Sequence, residues 1–91
     1  MQHLNSKKSD IIFKSLAKII KAEREKQNKS IRLLADEYDI QKSLISRLEN
    51  SLNEPKIISL WTVCEALGIK LSQLIIMLEK ELPSDFSLIE K

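Results

Sequence analysis

Between Ser30 and Asn50 the chain reads SIRLLADEYDIQKSLISRLEN, two short apolar patterns separated by a break of only a few residues. In the first, Leu34 and Ala35 share a face with Ile31 and Tyr38, the 3.6-residue period of a helix packed on a core. The pattern stops at Asp39, Ile40 is apolar within the break, and Leu44, Ile45 and Leu48 then set a second stripe one turn apart. Across from that stripe stand Lys42, Ser43, Ser46 and Arg47. Donors and short hydroxyls on one face suit base edges and phosphates, whereas an ordinary solvated face more often mixes Glu with Lys.

Two short helices joined by a tight turn define a helix-turn-helix, whose second helix enters the major groove of DNA by its N-terminal part. On that geometry Gln41, Lys42 and Ser43, and one turn later Ser46 and Arg47, are expected to face the bases. Arg47 is the first candidate for specificity, since its planar fork matches guanine O6 and N7, a pairing worth roughly 1 to 3 kcal/mol of discrimination. Gln41 and Lys42 read as base or phosphate contacts, and Ser43 and Ser46 are small enough to allow close approach. The plainer alternative is that Lys42 and Ser43 touch only the DNA backbone.

Ninety-one residues make one small domain with a modest core, near the size at which a second subunit often supplies the remaining stability. One Gly, two Pro and apolar residues at helical rather than alternating spacing favour an all-α fold over any sheet. A single Cys with no Cys/His cluster excludes an internal disulfide and a zinc site and points to a reducing cytoplasm, with no metal or cofactor implied. The longest apolar run, Leu74 to Leu78, is far too short to span a membrane, and no signal-peptide pattern opens the chain. A net charge of +2 is unevenly spread: the half up to Asn50 carries +4 and the remainder −2. The positive half contains the helix-turn-helix, where an electrostatic footprint on DNA belongs.

Five helices account for the pattern. Residues 1–8 read as a flexible polar arm, with His3, Lys7 and Lys8, and Ser9 followed by Asp10 reads as an N-cap with a dipole-favoured acid. The first helix then runs to about Gln27, burying Phe13, Leu16, Ala17 and Ile20. Ser30 is expected to cap the second, which ends near Tyr38. The third spans about Lys42 to Asn50 with Gln41, a poor cap, before it. Pro55 keeps the following segment out of helix, the fourth helix covers about Ile57 to Leu67, and Gly68 provides a left-handed stop. Ser72 is expected to cap the fifth, running toward Glu81 before Pro83. The domain therefore occupies 9–82, with a C-terminal tail at 83–91.

These residues also carry a family resemblance. Ser30, Leu34, Ala35, Ile40, Ile45, Ser46, Arg47, Leu48, Glu49 and Asn50, continued by Pro55, Leu60, Val63, Ala66, Leu67, Gly68, Ile69, Leu71 and Leu74, resemble the signature of the Cro/CI-type (XRE) helix-turn-helix proteins. Ile20 and Arg24 match that family's first helix, so the resemblance covers roughly residues 12 to 78. It implies a five-helix, lambda-repressor-like DNA-binding domain. It further implies a buried structural ion pair between Arg24 and Glu49, and a phosphate contact by Asn50. Three positions depart: Ile31 stands where the family usually has a phosphate-touching Gln, Asp39 where the turn usually has Gly, and Ser51 where a Gly usually ends the recognition helix. Asp tolerates the left-handed conformation, so the turn is expected to survive.

Other conspicuous residues read plainly. Cys64 lies on the stripe of Leu60, Val63 and Leu67 and is expected to be a buried, inert thiol. Trp61 adjoins that stripe and is open to packing inside or at a subunit contact. With a lone His, a lone Gly and no second carboxylate at a spacing that pairs with Glu49, an enzyme is not expected. The fifth helix is apolar nearly all round, since Ile76 and Met77 add to Leu74, Ile75 and Leu78, and Phe86, Leu88 and Ile89 follow. Such a helix needs cover on more than one side, so Ile76, Met77, Phe86 and Ile89 are the expected dimer contact. The resulting expectation is a cytoplasmic, nucleoid-associated regulator acting as a homodimer on double-stranded DNA, most simply a repressor on a pseudo-palindromic operator. The resemblance leaves open an antitoxin that also holds a toxin, and the controller protein of a restriction-modification operon.

Overall fold

The turns decide where each helix ends. The computed structural model describes residues 6–50 and 54–89, and places α1 at Ser6–Lys26, α2 at Ile31–Tyr38, α3 at Lys42–Asn50, α4 at Ile57–Leu67 and α5 at Leu71–Glu81. Asn28 stops α1 in the left-handed conformation at φ 56°, which Asn adopts more readily than most residues. Ser30 caps α2 as expected, its hydroxyl accepting from the Leu33 N–H at 3.0 Å. Asp39 ends α2 at φ 54°, ψ 46°, donating its N–H to the Ala35 carbonyl. Asp therefore takes the place a glycine would hold in the turn. Gly68 closes α4 at φ 78° with its N–H shared between the Cys64 and Glu65 carbonyls, a conformation in which any Cβ is strained.

Two helix starts differ from the sequence reading. Helix α1 already includes Ser6, Lys7 and Lys8, so Ser9 is not a cap and Asp10 is not in the first turn; an interior Ser costs only a few tenths of a kcal/mol, and the apolar stripe from Ile12 onward holds the helix regardless. His3 and the rest of 1–5 lie outside the described residues, as does Ser51. Helix α5 begins at Leu71 rather than after Ser72, because Gln73 Oε1 reaches back 2.7 Å to accept from the Lys70 N–H. That is the backward half of a capping box, and it moves the cap to Lys70.

The core forms where the five stripes meet. Ile20 of α1, Leu34 of α2, Ile45 of α3, Val63 and Cys64 of α4 and Leu74 of α5 are all fully buried, with Leu16, Ile19, Leu48, Leu60, Ala66, Leu67 and Leu78 around them. Phe13, expected inside, is only half-buried. Helix α1 lies chiefly against α3 and α5, and α2 against α3. Among the described residues there are five helices, no strand, and no single helix long and apolar enough to cross a membrane. Burying Ile45 and Leu48 turns the other side of α3 to solvent, and that rotation positions everything below.

Candidate nucleic-acid interface

Gln41, Lys42, Ser43, Arg47 and Asn50 are exposed and Ser46 is half-buried, so all six residues expected to touch DNA lie on the outer side of α3 and its approach. They do not form one flat stripe. Ser43, Ser46 and Asn50, spaced by three and four residues, make the crest, since such spacings share a helix face. Lys42 and Arg47 stand on opposite flanks: Lys42, Ser43 and Ser46 line a groove of about 690 Å³ shared with Ile31 and Arg32 at the start of α2. Arg47 lines another, of about 430 Å³, with Leu44, Pro55 and Lys56. Asn50 is turned back on its own helix, Nδ2 donating to the Ser46 carbonyl at 2.7 Å and the Ser46 hydroxyl at 3.1 Å. The amide donor is thereby engaged. Full donation from Asn50 to a phosphate requires that pair of bonds to open.

One buried ion pair fixes how α3 is presented. Arg24 Nε donates to Glu49 Oε2 at 2.7 Å and Nη2 to Oε1 at 2.9 Å, a two-pronged match of guanidinium and carboxylate. The side chains are only 10% and 5% exposed. Hydrogen bonding to Glu49 pushes the Arg24 pKa above its ordinary value against the opposing effect of burial, so the guanidinium stays charged. Its remaining arm, Nη1, donates to the Lys29 carbonyl at 2.6 Å. The pair joining α1 to α3 is legible by resemblance; the third bond, which ties in the turn before α2, is not.

Two other contacts escape a reading of the sequence. Gln27 Nε2 donates to the Leu67 carbonyl at 2.8 Å, satisfying an orphan acceptor at the end of α4, and a partner forty residues away leaves no local signal. Lys29 pairs with Glu37 at 2.7 Å and lies 6.0 Å from the centre of the Tyr38 ring. The hydrogen bond to Glu37 raises the Lys29 pKa. Together with the Arg24 bond to its carbonyl, these contacts of Lys29 hold the turn ahead of α2.

The remaining side chains sort clearly. Cys64 is fully buried, and burial pushes its thiol up to about 11, which makes it unreactive. Trp61, left open by its position in sequence, is 49% exposed beside Ile57 and Ile58 at 61% and 69%. Of the residues expected at a dimer contact, Ile76 and Ile89 are exposed, while Phe86 and Met77 are half-buried and Met77 packs against the core. Ile76 and Met77 flank a groove against Glu23 and Lys26 of α1. Exposed apolar surface thus lies on α4 as well as on α5 and the tail.

The fold and the surface of α3 define a five-helix bundle built to present one short helix between two grooves. The helix-turn-helix family HTH_3 matches residues 20–74, and the chain belongs to that family. Among solved structures the fold is similar to the clp gene regulator ClgR from Corynebacterium glutamicum, with a TM-score of 0.68 at 22% identity over 81% of this chain and 96% of that one. A point mutant of the restriction-modification controller protein C.Esp1396I superposes with a TM-score of 0.68 at 21% identity, covering 82% and 95% of the two chains. An HTH_3 family transcriptional regulator from Vibrio cholerae gives 0.65 at 25% identity over 87% of this chain and 45% of that one. No protein of curated function matches the sequence.

Proposed function

We propose that the chain is a transcriptional regulator that binds double-stranded DNA in a sequence-specific manner, with α3 as its reading helix. The observation that carries this reading is the outer side of α3, where Gln41, Lys42, Ser43 and Arg47 are exposed on a helix locked from behind by Ile45, Leu48 and the Arg24–Glu49 pair. Rigid presentation of donors is what base readout needs, because each contact depends on angle as well as distance. The solved relatives named as regulators support the same class. The protein acts as a homodimer repressing from a pseudo-palindromic operator, with Ile76, Met77, Phe86 and Ile89 contributing apolar surface to the subunit contact.

Selection of bound duplexes from a randomised pool tests it. Enrichment of a two-fold-related motif with half-sites about one helical turn apart, roughly 34 Å, is the expected result. Recovery of unenriched sequence refutes specific readout. A second reading, in which the domain also holds a protein partner such as a toxin, is favoured by the row Ile57, Ile58 and Trp61 on α4, apolar surface additional to the α5 and tail residues assigned to the dimer. Masking of that row in the DNA-bound homodimer, read by Trp61 fluorescence, counts against it.

A further inference from the structure

The groove between α3 and the start of α2 has, among the described residues, one apolar side chain in its lining, Ile31, and its other lining residues all carry a cation or a hydroxyl. Several of those polar groups are already engaged. Glu49 and the Lys29 carbonyl hold the Arg24 guanidinium, the Leu33 N–H takes the Ser30 hydroxyl, and Asn50 Nδ2 takes that of Ser46. What the groove offers a ligand is therefore Ile31 together with the exposed Arg32, Lys42 and Ser43. Ile31 is half-buried and packs against the core, and its branched side chain has few rotamers. It is thus fixed in place while its outer part lines the groove.

Of the groups that distinguish base pairs in the major groove, only the 5-methyl of thymine is apolar, and 5-methylcytosine carries the same group. A helix that lowers Lys42 and Ser43 toward base edges brings Ile31 in with them, because all three line one groove. Isoleucine has nothing with which to bond a phosphate or a base edge, but it gains by shedding water against a methyl. We propose that Ile31 reads the 5-methyl group of a pyrimidine beside the base met by Lys42 or Ser43, so that each half-site prefers thymine over cytosine at one position. This rests on the DNA-binding reading above. The preference is separate from that of Arg47, which stands on the far flank of α3. A role for Ile31 confined to core packing gives no dependence on the methyl.

The probe is the duplex recovered by the selection described above, titrated with the full chain and read by fluorescence anisotropy. Deoxyuridine replaces each thymine in turn, which deletes the methyl and keeps the pairing, and 5-methylcytosine replaces each cytosine in turn. Burying one methyl is worth about fourfold in affinity. Uracil at one thymine per half-site should therefore weaken binding about fourfold, and about sixteenfold when both half-sites carry it. Ile31→Ala should bind the thymine and uracil duplexes alike. Ile31→Thr, which keeps the branched shape and most of the packing, should narrow the ratio as well and serves where the alanine variant fails to fold. A cytosine whose 5-methylation tightens binding by the same factor in the parent, and not in the variants, assigns the contact to the methylated base. No response at any position in the parent, or a full response retained in the variants, overturns the methyl contact. A selection that enriches no sequence overturns the functional reading itself, and is distinct from either.

Discussion

Glu49→Ala removes the acceptor of two charged hydrogen bonds and leaves the Arg24 guanidinium in a site where its side chain is 10% exposed. Only the Lys29 carbonyl would remain as a partner. Breaking a buried pair from one side costs on the order of 3 to 5 kcal/mol, because the surviving charge has lost its hydration and its counter-charge together. In a domain of this size roughly 4 to 8 °C of melting temperature accompanies each kcal/mol, so the midpoint should fall by at least about 12 °C. Arg24→Met strands the Glu49 carboxylate instead and also unbonds the Lys29 carbonyl. The double substitution has the second defect but neither stranded charge.

A double-mutant cycle in urea isolates the pair, since the Lys29 carbonyl is lost equally in Arg24→Met and in the double and cancels. The double should be less destabilised than the sum of the singles by about 1 kcal/mol or more, whereas independent sites add to within roughly 0.5 kcal/mol. Additive singles would refute the reasoning. Unequal singles would be informative about the third bond, because only the arginine substitution touches Lys29.

Three further outcomes are expected. Arg47→Ala should cost roughly 1 to 3 kcal/mol at one base position per half-site and relax preference there, while Asn50→Ala should weaken all sequences alike; competition among operator variants separates them. Cys64 should react with a thiol reagent only on unfolding; its folded thiol lies at about 11, above the free value, so its contribution to stability is complete below the free value and falls as pH rises toward 11, a loss that Cys64→Ala removes. Ile76→Glu, at an exposed site, should weaken self-association with helical content intact, read by sedimentation equilibrium, and the same effect from Trp61→Glu but not Ile76→Glu would move the subunit contact to α4.

The helices are legible because their apolar stripes are periodic, and the α2–α3 turn because Asp39 stands where the chain must turn left-handed. The two misplaced starts share a cause. Ser9 and Ser72 look like caps by residue type, but a cap is decided by which backbone N–H lacks a partner. At α5 a Gln three residues on satisfies it from the other direction. Arg24 and Glu49 come from resemblance rather than from spacing, as no periodicity links residues twenty-five positions apart. The row Ile57, Ile58 and Trp61 is hidden by α4 being apolar on nearly every side, which erases the contrast that tells buried from exposed.

Arg24 explains why a chain so small can hold α3 at a fixed angle. Its three bonds reach Glu49 near the end of α3 and the carbonyl of Lys29 just before α2, so one side chain sets both helices of the motif relative to α1. Lys29 in turn holds Glu37 near the end of α2, and Gln27 holds the end of α4. Three of the other four helices are therefore referenced to the last turn of α1 and the residues just after it. A hydrophobic pair in place of Arg24 and Glu49 would support a comparable core, since desolvation offsets much of the attraction, yet apolar contacts constrain rotation about the helix axis less tightly than a two-pronged charged bond. What the ion pair supplies is orientation. The groove on each flank of α3 keeps its width only while that orientation holds, and the readout proposed for Arg47 depends on it.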